Sequence, residues 1–213
     1  MNTAGLILAA GESRRMGQPK ALLPLNGHTF VQNLIEILSQ FCGEVVVVLG
    51  HNPEPIRRAI GDSATVVINH NYSLGQFSSM QTGLKALPAT IDGLLFTLVD
   101  HPAPLPSTVL SLISMEAPIS IPVYYGRKGH PVFFRRDVLT EFMGLSPDSQ
   151  ASVVSRRHAM ETRLVKVDDP GILDDIDDPE ALRHFRERLD RERLDRDRLD
   201  RDRLEEKANE PQE

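Results

Sequence analysis

Residues 5–20 read Gly5-Leu6-Ile7-Leu8-Ala9-Ala10-Gly11-Glu12-Ser13-Arg14-Arg15-Met16-Gly17-Gln18-Pro19-Lys20. An apolar run, Gly5 to Ala9, passes directly into a loop of small residues and cations. Such a run, bounded by glycine, predicts a strand covered on both faces, as inside a parallel sheet. Small residues let backbone N–H groups approach an anion closely, and Arg15 and Lys20 add positive charge from the same loop. The loop therefore has the character of a phosphate cradle. It matches neither GxxxxGK followed by Ser or Thr nor GxGxxG, so neither a Walker-type ATPase nor a dinucleotide-binding dehydrogenase is indicated.

Outward from this loop, short apolar runs alternate with amphipathic ones. Strands are predicted at Gly5–Ala9, Glu44–Leu49, Thr65–Asn69, Leu94–Val99, Ile119–Val123, Pro131–Phe134 and Arg163–Val167. Helices are predicted between them at Thr29–Phe41, Pro53–Ile60, Ser78–Leu87, Ser107–Met115, Arg136–Met143 and Ala151–Ala159. In the first of these, Phe30, Leu34, Ile37, Leu38 and Phe41 recur at the helical period and form one apolar face. The alternation implies an α/β fold, a Rossmann-like three-layer α/β/α sandwich with a mostly parallel sheet. Ligands in that architecture bind beyond the carboxyl ends of the strands, and the loops there are where chemistry is expected.

The whole chain has 213 residues, a formal net charge of -6, 40% hydrophobic and 25% charged residues, the balance of a globular protein. Its longest wholly aliphatic run, Val45 to Leu49, is far shorter than the roughly 20 residues of a membrane-spanning helix. The N-terminus carries no basic segment ahead of an apolar stretch, so neither membrane insertion nor secretion is expected. The single cysteine, Cys42, cannot close an internal disulfide, and a cytoplasmic location is expected. Net acidity without a Lys/Arg cluster argues against a nucleic-acid partner, leaving a small ligand.

The last 28 residues, 186–213, hold 9 Lys/Arg and 11 Asp/Glu. A five-residue unit repeats there, from Arg186-Glu-Arg-Leu-Asp190 to Arg201-Asp-Arg-Leu-Glu205. Leucines five apart turn by about 140° from one to the next around a helix and form no stripe, which disfavours a coiled coil. Pairs spaced i,i+4, such as Glu187 with Arg191, Glu192 with Arg196 and Asp197 with Arg201, support a solvated helix. The expected organisation is a domain over 1–185 and a charged extension over 186–213, helical or disordered.

Other candidate residues follow strands or open helices. Asp100 follows the run Leu94–Val99, where it is either a turn former or an oxygen ligand suited to Mg²⁺. Asp177 is one of five acids with Asp174, Asp175, Asp178 and Glu180, a group that equally suits a solvated turn capping the final helix. Ser78 and Ser79 suit a helix start, and Asn69 suits a turn.

The stretch Leu8–Leu25, LAAGESRRMGQPKALLPL, resembles the signature of the molybdenum-cofactor nucleotidyltransferases, most of all the cytidylyltransferase branch. The resemblance continues at Asn69, Gly75-Gln76-Phe77-Ser78-Ser79, Val99-Asp100-His101-Pro102, Gly129-His130-Pro131 and Asp175-Ile176-Asp177-Asp178-Pro179-Glu180. It spans about residues 3–185 and implies the nucleotide-diphospho-sugar transferase type of fold. It implies that Leu8, Ala9, Ala10, Gly11, Lys20, Asn69, Gly75, Ser79 and Asp100 bind a nucleoside triphosphate, that Arg15 and Lys20 are catalytic, and that Asp100 and Asp177 hold Mg²⁺. Gly129, His130 and Pro131 would face a phosphorylated acceptor, molybdopterin or the molybdenum cofactor. Relatives with LAAG take CTP, where guanylyltransferases carry LAGG. Two departures stand out: Ser149-Gln150-Ala151-Ser152 replaces a Gly-Ala-Arg element on the acceptor side, and Val99-Asp100-His101-Pro102 replaces Gly-Asp-Gln-Pro while keeping the aspartate; in addition Asp178 stands for a threonine and competes with Asp177 as the second metal ligand. Other outcomes are a sugar phosphate or another phosphorylated alcohol as acceptor, or a non-catalytic accessory protein for a molybdenum hydroxylase.

Overall fold

The structure, a computed structural model, describes residues 1–208. The chain forms two compact units, Met1–Asp175 and Ile176–Glu213.

In chain order the first unit comprises β1 (Thr3–Ala9), β2 (Pro24–Leu25), β3 (His28–Thr29), α1 (Phe30–Ser39), β4 (Glu44–Leu49), α2 (Pro53–Ile60), β5 (Thr65–Ile68) and α3 (Gln76–Ala86). It continues with β6 (Gly93–Leu98), α4 (Pro106–Ile113), β7 (Ile119–Tyr124), β8 (Arg127–Lys128), β9 (Val132–Arg135), α5 (Arg136–Met143), α6 (Ser152–Arg157) and β10 (Thr162–Lys166). The main sheet runs β10-β7-β9-β6-β1-β4-β5, with β8 paired to β7. All main strands are parallel to their neighbours except β9, which runs antiparallel between β6 and β7.

Every residue of β1 is buried, as the unbroken apolar run predicted. On one face, Ala4, Leu6 and Leu8 join Val46, Val48, Leu94 and Phe96 in a core closed by Phe77, Met80, Phe142 and Val154 of α3, α5 and α6. On the other, α1 lies so close that a side chain at Gly5 would meet Leu38 at 3.1 Å. Helix α1 starts in a capping box: Gln32 N–H donates to Thr29 Oγ1 at 3.4 Å, and Thr29 N–H donates to Gln32 Oε1 at 2.9 Å. That arrangement is worth about 1 kcal/mol.

The strand order positions the site. From β1 the chain proceeds outward through β4 and β5, then returns to add β6 on the other side of β1. Strand order thus reverses at β1, and the crevice at the carboxyl ends of β1 and β6 is where this class of sheet binds ligands. The antiparallel course of β9, with Val132 opposite Phe96, brings the segment before β9 to the same end of the sheet.

The second unit contains α7 (Pro179–Ala208), so one helix carries residues on both sides of position 186. Asp178 caps it: Ala181 N–H donates to Asp178 Oδ1 at 2.9 Å, with Pro179 in the first helical position. Charged pairs line its surface at Arg183–Glu187 (3.8 Å) and Arg188–Glu192 (2.6 Å), at the expected i,i+4 spacing but with arginine ahead of glutamate, the reverse of Glu187–Arg191. The side chains of Arg196 and Arg201, and residues 209–213 of the expected extension, lie outside the described residues. No described helix is long and apolar enough to cross a membrane.

Candidate active site

Leu8, Ala9 and Ala10 are buried at the end of β1 and form the floor of the crevice. Val99 N–H donates to Leu8 O at 3.0 Å, and His51 N–H donates to Ala10 O at 3.2 Å, tying the loops after β6 and β4 to the first loop. Gly11 is exposed, and a Cβ there would meet nothing within 4 Å, so the loop is open above it. Beyond it, the N–H groups of Met16 and Gly17 both donate to Ser13 O, closing a tight turn. Lys20 N–H donates to Ser13 Oγ at 3.2 Å. Arg14 pairs with Glu12, and its hydrogen bond holds the Glu12 carboxyl below the usual range. Arg15 is exposed on the same turn.

Lys20 Nζ reaches Asp100 Oδ2 at 3.0 Å, with the two side chains only 12% and 18% exposed. This pair joins the first loop to the end of β6, eighty residues away. Asp100 Oδ1 is buried without a hydrogen-bond partner and lies 3.9 Å from His101 Nε2. One potential ligand atom each from Asp100, His101 and Asp175 lie within 4.8 Å of one another. An orphaned carboxylate oxygen beside a second carboxylate and an imidazole fits a divalent cation with oxygen-preferring chemistry. Asp175 is two residues ahead of the expected ligand Asp177, which belongs to the second unit. Asp178, which stands where the family has threonine, takes the helix-capping role instead.

His130 lies beside this group. Its ring centroid is 4.6 Å from that of His101 and 5.8 Å from that of Phe96. Burial lowers the basicity of both imidazoles, pushing His130 down to about 4, so both are neutral near pH 7. The two flanking loops rest on one 3-10 turn, Pro170–Leu173. Its Ile172 O accepts from His130 N–H at 3.0 Å. A Cβ at Gly129 would lie 2.1 Å from that carbonyl oxygen, and one at Gly171 would lie 2.2 Å from Ala103 O. Only glycine allows these approaches. Gly129 therefore sets the position of His130, while Pro131 follows through a cis peptide bond.

Asn69 is buried at the end of β5 and ties that strand to α3. Its Nδ2 donates to Ser78 Oγ and Ser79 Oγ, both at 2.9 Å, and its Oδ1 accepts from Asn71 N–H at 2.9 Å. Ser79 is buried with it, while Gly75 stands exposed at the start of α3. Asn69 and Ser79 thus hold the loop, and Gly75 presents it.

Next to His130 opens a cavity of about 660 Å³. Phe77, Met80, Phe96, Ile121, Val132 and Phe134 line it, and Gln150, Ala151 and Ser152, of the segment that departs from the family pattern, form part of its rim. Lys128 and Arg156 also line it. Sequence reasoning saw Asp175 only as one acid among five and missed Arg156 and Phe96. Phe96 lay hidden inside an apolar strand, and Arg156 in an ordinary amphipathic helix.

An α/β sheet with an open glycine loop and a paired lysine and carboxylate at its switch point is the architecture of a protein that handles a small phosphorylated ligand. The chain belongs to the MobA-like NTP transferase domain family, whose model matches residues 5–162, and it is a nucleotidyltransferase. It is 34% identical over 191 residues to nicotine blue oxidoreductase of Paenarthrobacter nicotinovorans, covering 84% of this chain and 93% of that one. It is 25% identical to the molybdenum cofactor cytidylyltransferase of Escherichia coli strain K12, covering 86% and 95%. The structure of Rv0371c from Mycobacterium tuberculosis H37Rv in complex with manganese superposes with a TM-score of 0.72 at 25% identity, covering 86% of this chain and 97% of that one.

Proposed function

We propose that the protein transfers CMP from CTP to a phosphorylated acceptor of the molybdopterin kind, with Mg²⁺, and releases pyrophosphate. The Lys20–Asp100 pair beneath the open first loop carries this proposal. Nucleotidyl transfer needs little covalent chemistry from the protein; it needs positioning and neutralised charge. The triphosphate lies over Ala10 and Gly11, with Arg15 and Lys20 compensating the charge that grows on the α-phosphate and the leaving group. An oxygen of the acceptor phosphate forms its bond to the α-phosphorus in line as the bond to the bridging oxygen of pyrophosphate breaks. Gly129, His130 and Pro131 border the acceptor side.

Asp100 and Asp175 would hold the cation, and the family pattern assigns Asp177 to the same role. A bound Mg²⁺ would neutralise charge on the triphosphate. Support for a divalent cation comes from the orphaned Asp100 oxygen and from the manganese complex of the mycobacterial relative. CTP is favoured because Ala10 stands where the guanylyltransferase pattern has glycine, and a methyl there would narrow a base pocket. Lys20→Ala and Asp100→Asn should each slow pyrophosphate release by about 10² to 10³. Near wild-type turnover in either variant, with an unchanged melting temperature, would overturn the assignment. Comparing Asp175→Asn with Asp177→Asn in a metal titration identifies the second ligand: its loss raises the Mg²⁺ concentration required.

A second proposal draws on the relative named nicotine blue oxidoreductase and on the apolar cavity: a binding or carrier protein for a flat ligand, serving a molybdenum hydroxylase without transferring a nucleotide. Stoichiometric ligand binding without pyrophosphate release from any triphosphate would favour it.

A further inference from the structure

Strand β10, Thr162–Lys166, forms one edge of the main sheet, and among the described residues only β7 pairs with it. Val167 N–H donates to Val123 O at 3.0 Å. Backbone groups along a strand point alternately to its two sides, so Arg163 and Val165 also face β7, while Leu164 and Lys166 turn their N–H and C=O groups outward. Arg163, Leu164 and Lys166 are exposed, Leu164 at 53%, and this row of backbone groups is open to another strand.

The side chains at this edge select the strand that fits. Arg163 stands opposite Ser120 and Lys166 opposite Val123, on the two faces of the sheet, and neither pairs with a carboxylate among the described residues. Glu161 ahead of the strand is held by His158 at 3.7 Å, and Asp168 follows it, which bounds the positive stretch to Thr162–Lys166. On a chain of net charge -6 this is a local reversal of sign. A second copy laid edge to edge would crowd two Arg163 and two Lys166 into one pair of short strands, the repulsion by which cationic edges avoid self-pairing. An acidic strand meets attraction instead. Nucleic acid would satisfy the cations but leave the outward backbone groups and Leu164 unused. The two most exposed large hydrophobic side chains among the described residues flank the same edge: Met160 (98%), just before β10, and Tyr125 (87%), just beyond the end of β7. Tyr125 and Gly126 form the loop of the β7–β8 hairpin with φ of 45° and 78°. Such a turn favours Asn, Asp or Gly at its first position, so tyrosine there is strained. Within the fold it gains only an edge-on contact with Tyr124, at 4.6 Å between centroids, and a strained, solvated aromatic is suited to meeting a partner.

We propose that the β10 edge is a docking site for an extended acidic segment of a partner protein. The segment adds a strand beside β10, sets Asp or Glu next to Arg163 and Lys166 and an apolar side chain next to Leu164, and meets Met160 and Tyr125 with apolar residues at its ends.

Three labelled peptides test this on the full chain by fluorescence polarisation: FTEVLETF, its cationic counterpart FTKVLKTF, and FTEVLETF N-methylated at its valine and leucine, which cannot pair. The first should bind at least about tenfold more tightly than either of the others, and its affinity should fall as salt rises. Its binding should slow hydrogen exchange at the Leu164 and Lys166 amides, a signature that charge attraction alone does not give. The double variant Arg163→Glu with Lys166→Glu should reverse the preference in favour of FTKVLKTF. Leu164→Pro removes one outward N–H and leaves the ladder to β7 intact, so it should abolish binding; should it melt early, the double variant, altered only at exposed side chains, carries the test. Tyr125→Asn should melt no earlier than wild type and bind FTEVLETF several-fold more weakly. Equal binding of the acidic and cationic peptides would overturn the proposal, as would binding with unchanged exchange at Leu164 and Lys166. A single-stranded oligothymidylate that binds as tightly as FTEVLETF would reduce the edge to a polyanion patch, and a dimer of the free protein that Leu164→Pro dissolves would give the edge to a second copy; either result overturns it too.

Discussion

Asp169 is buried at 2% exposure and accepts three hydrogen bonds: from Leu105 N–H at 2.8 Å, Thr108 Oγ1 at 2.7 Å and Gly171 N–H at 2.9 Å. It caps α4 from a distant part of the chain, since Leu105 has no side-chain oxygen to do so, and it also starts the turn that supports His130. Asp169→Ala should cost about 3 kcal/mol in urea unfolding, with Asp169→Asn costing less because an amide oxygen still accepts. An Asp169→Ala protein of unaltered stability would remove this residue from the account. Gly129→Ala is expected to lower turnover more than stability, because the added methyl must push away the Ile172 carbonyl that holds His130. Cys42 gives a contrasting expectation: burial pushes its thiol up to about 12, so it should resist alkylation in the folded protein.

Among the elements, α6 is held to α5 by a charged pair. His158 Nε2 lies 2.5 Å from Glu141 Oε1, with Arg157, Glu161 and Asp137 nearby. The hydrogen bond to Glu141 raises His158 above its ordinary 6.5, and the same bond lowers Glu141 below 4.5. The histidine's contribution is complete below its unfolded value and fades as pH rises through the raised folded one. The glutamate's contribution is complete above its unfolded value and fades as pH falls through the depressed folded one. The stability difference between wild type and His158→Gln should therefore be largest at about pH 5 to 6 and shrink towards pH 9. A pH-independent difference in melting temperature would contradict the pairing. The elements themselves were largely legible: α2 (Pro53–Ile60) and α5 (Arg136–Met143) have the expected limits, and the main strands shift by at most two residues at either end. The reversed direction of β9 was not legible, because a four-residue apolar strand carries no mark of its orientation. The turn at Pro170–Leu173 was hidden for a related reason: its role lies in carbonyls that meet loops about forty and seventy residues earlier.

For the whole molecule, the placement of the candidate residues was legible where one loop or one strand end carries them, as with Gly11, Lys20 and Asp100. It was not legible where chain reversal decides, as with Asp175, Arg156 and the roles of Asn69 and Ser79, which bond to each other in the structure. Lys20, Asp100 and the described residues that line the cavity all belong to the first unit. Removing residues 186–213 should therefore leave turnover within about twofold, and a loss of hydroxylase association without loss of turnover would mark the helix as a docking arm. The central claim is nucleotidyl transfer at the Lys20–Asp100 pair. Its most direct test is pyrophosphate release from CTP, GTP, ATP and UTP with Mg²⁺, with and without molybdopterin, in wild type and Asp100→Asn. The account predicts release from CTP that requires Mg²⁺ and the acceptor and falls by about 10² or more in the variant; no release from any triphosphate, by a folded protein that still binds nucleotide, would contradict it.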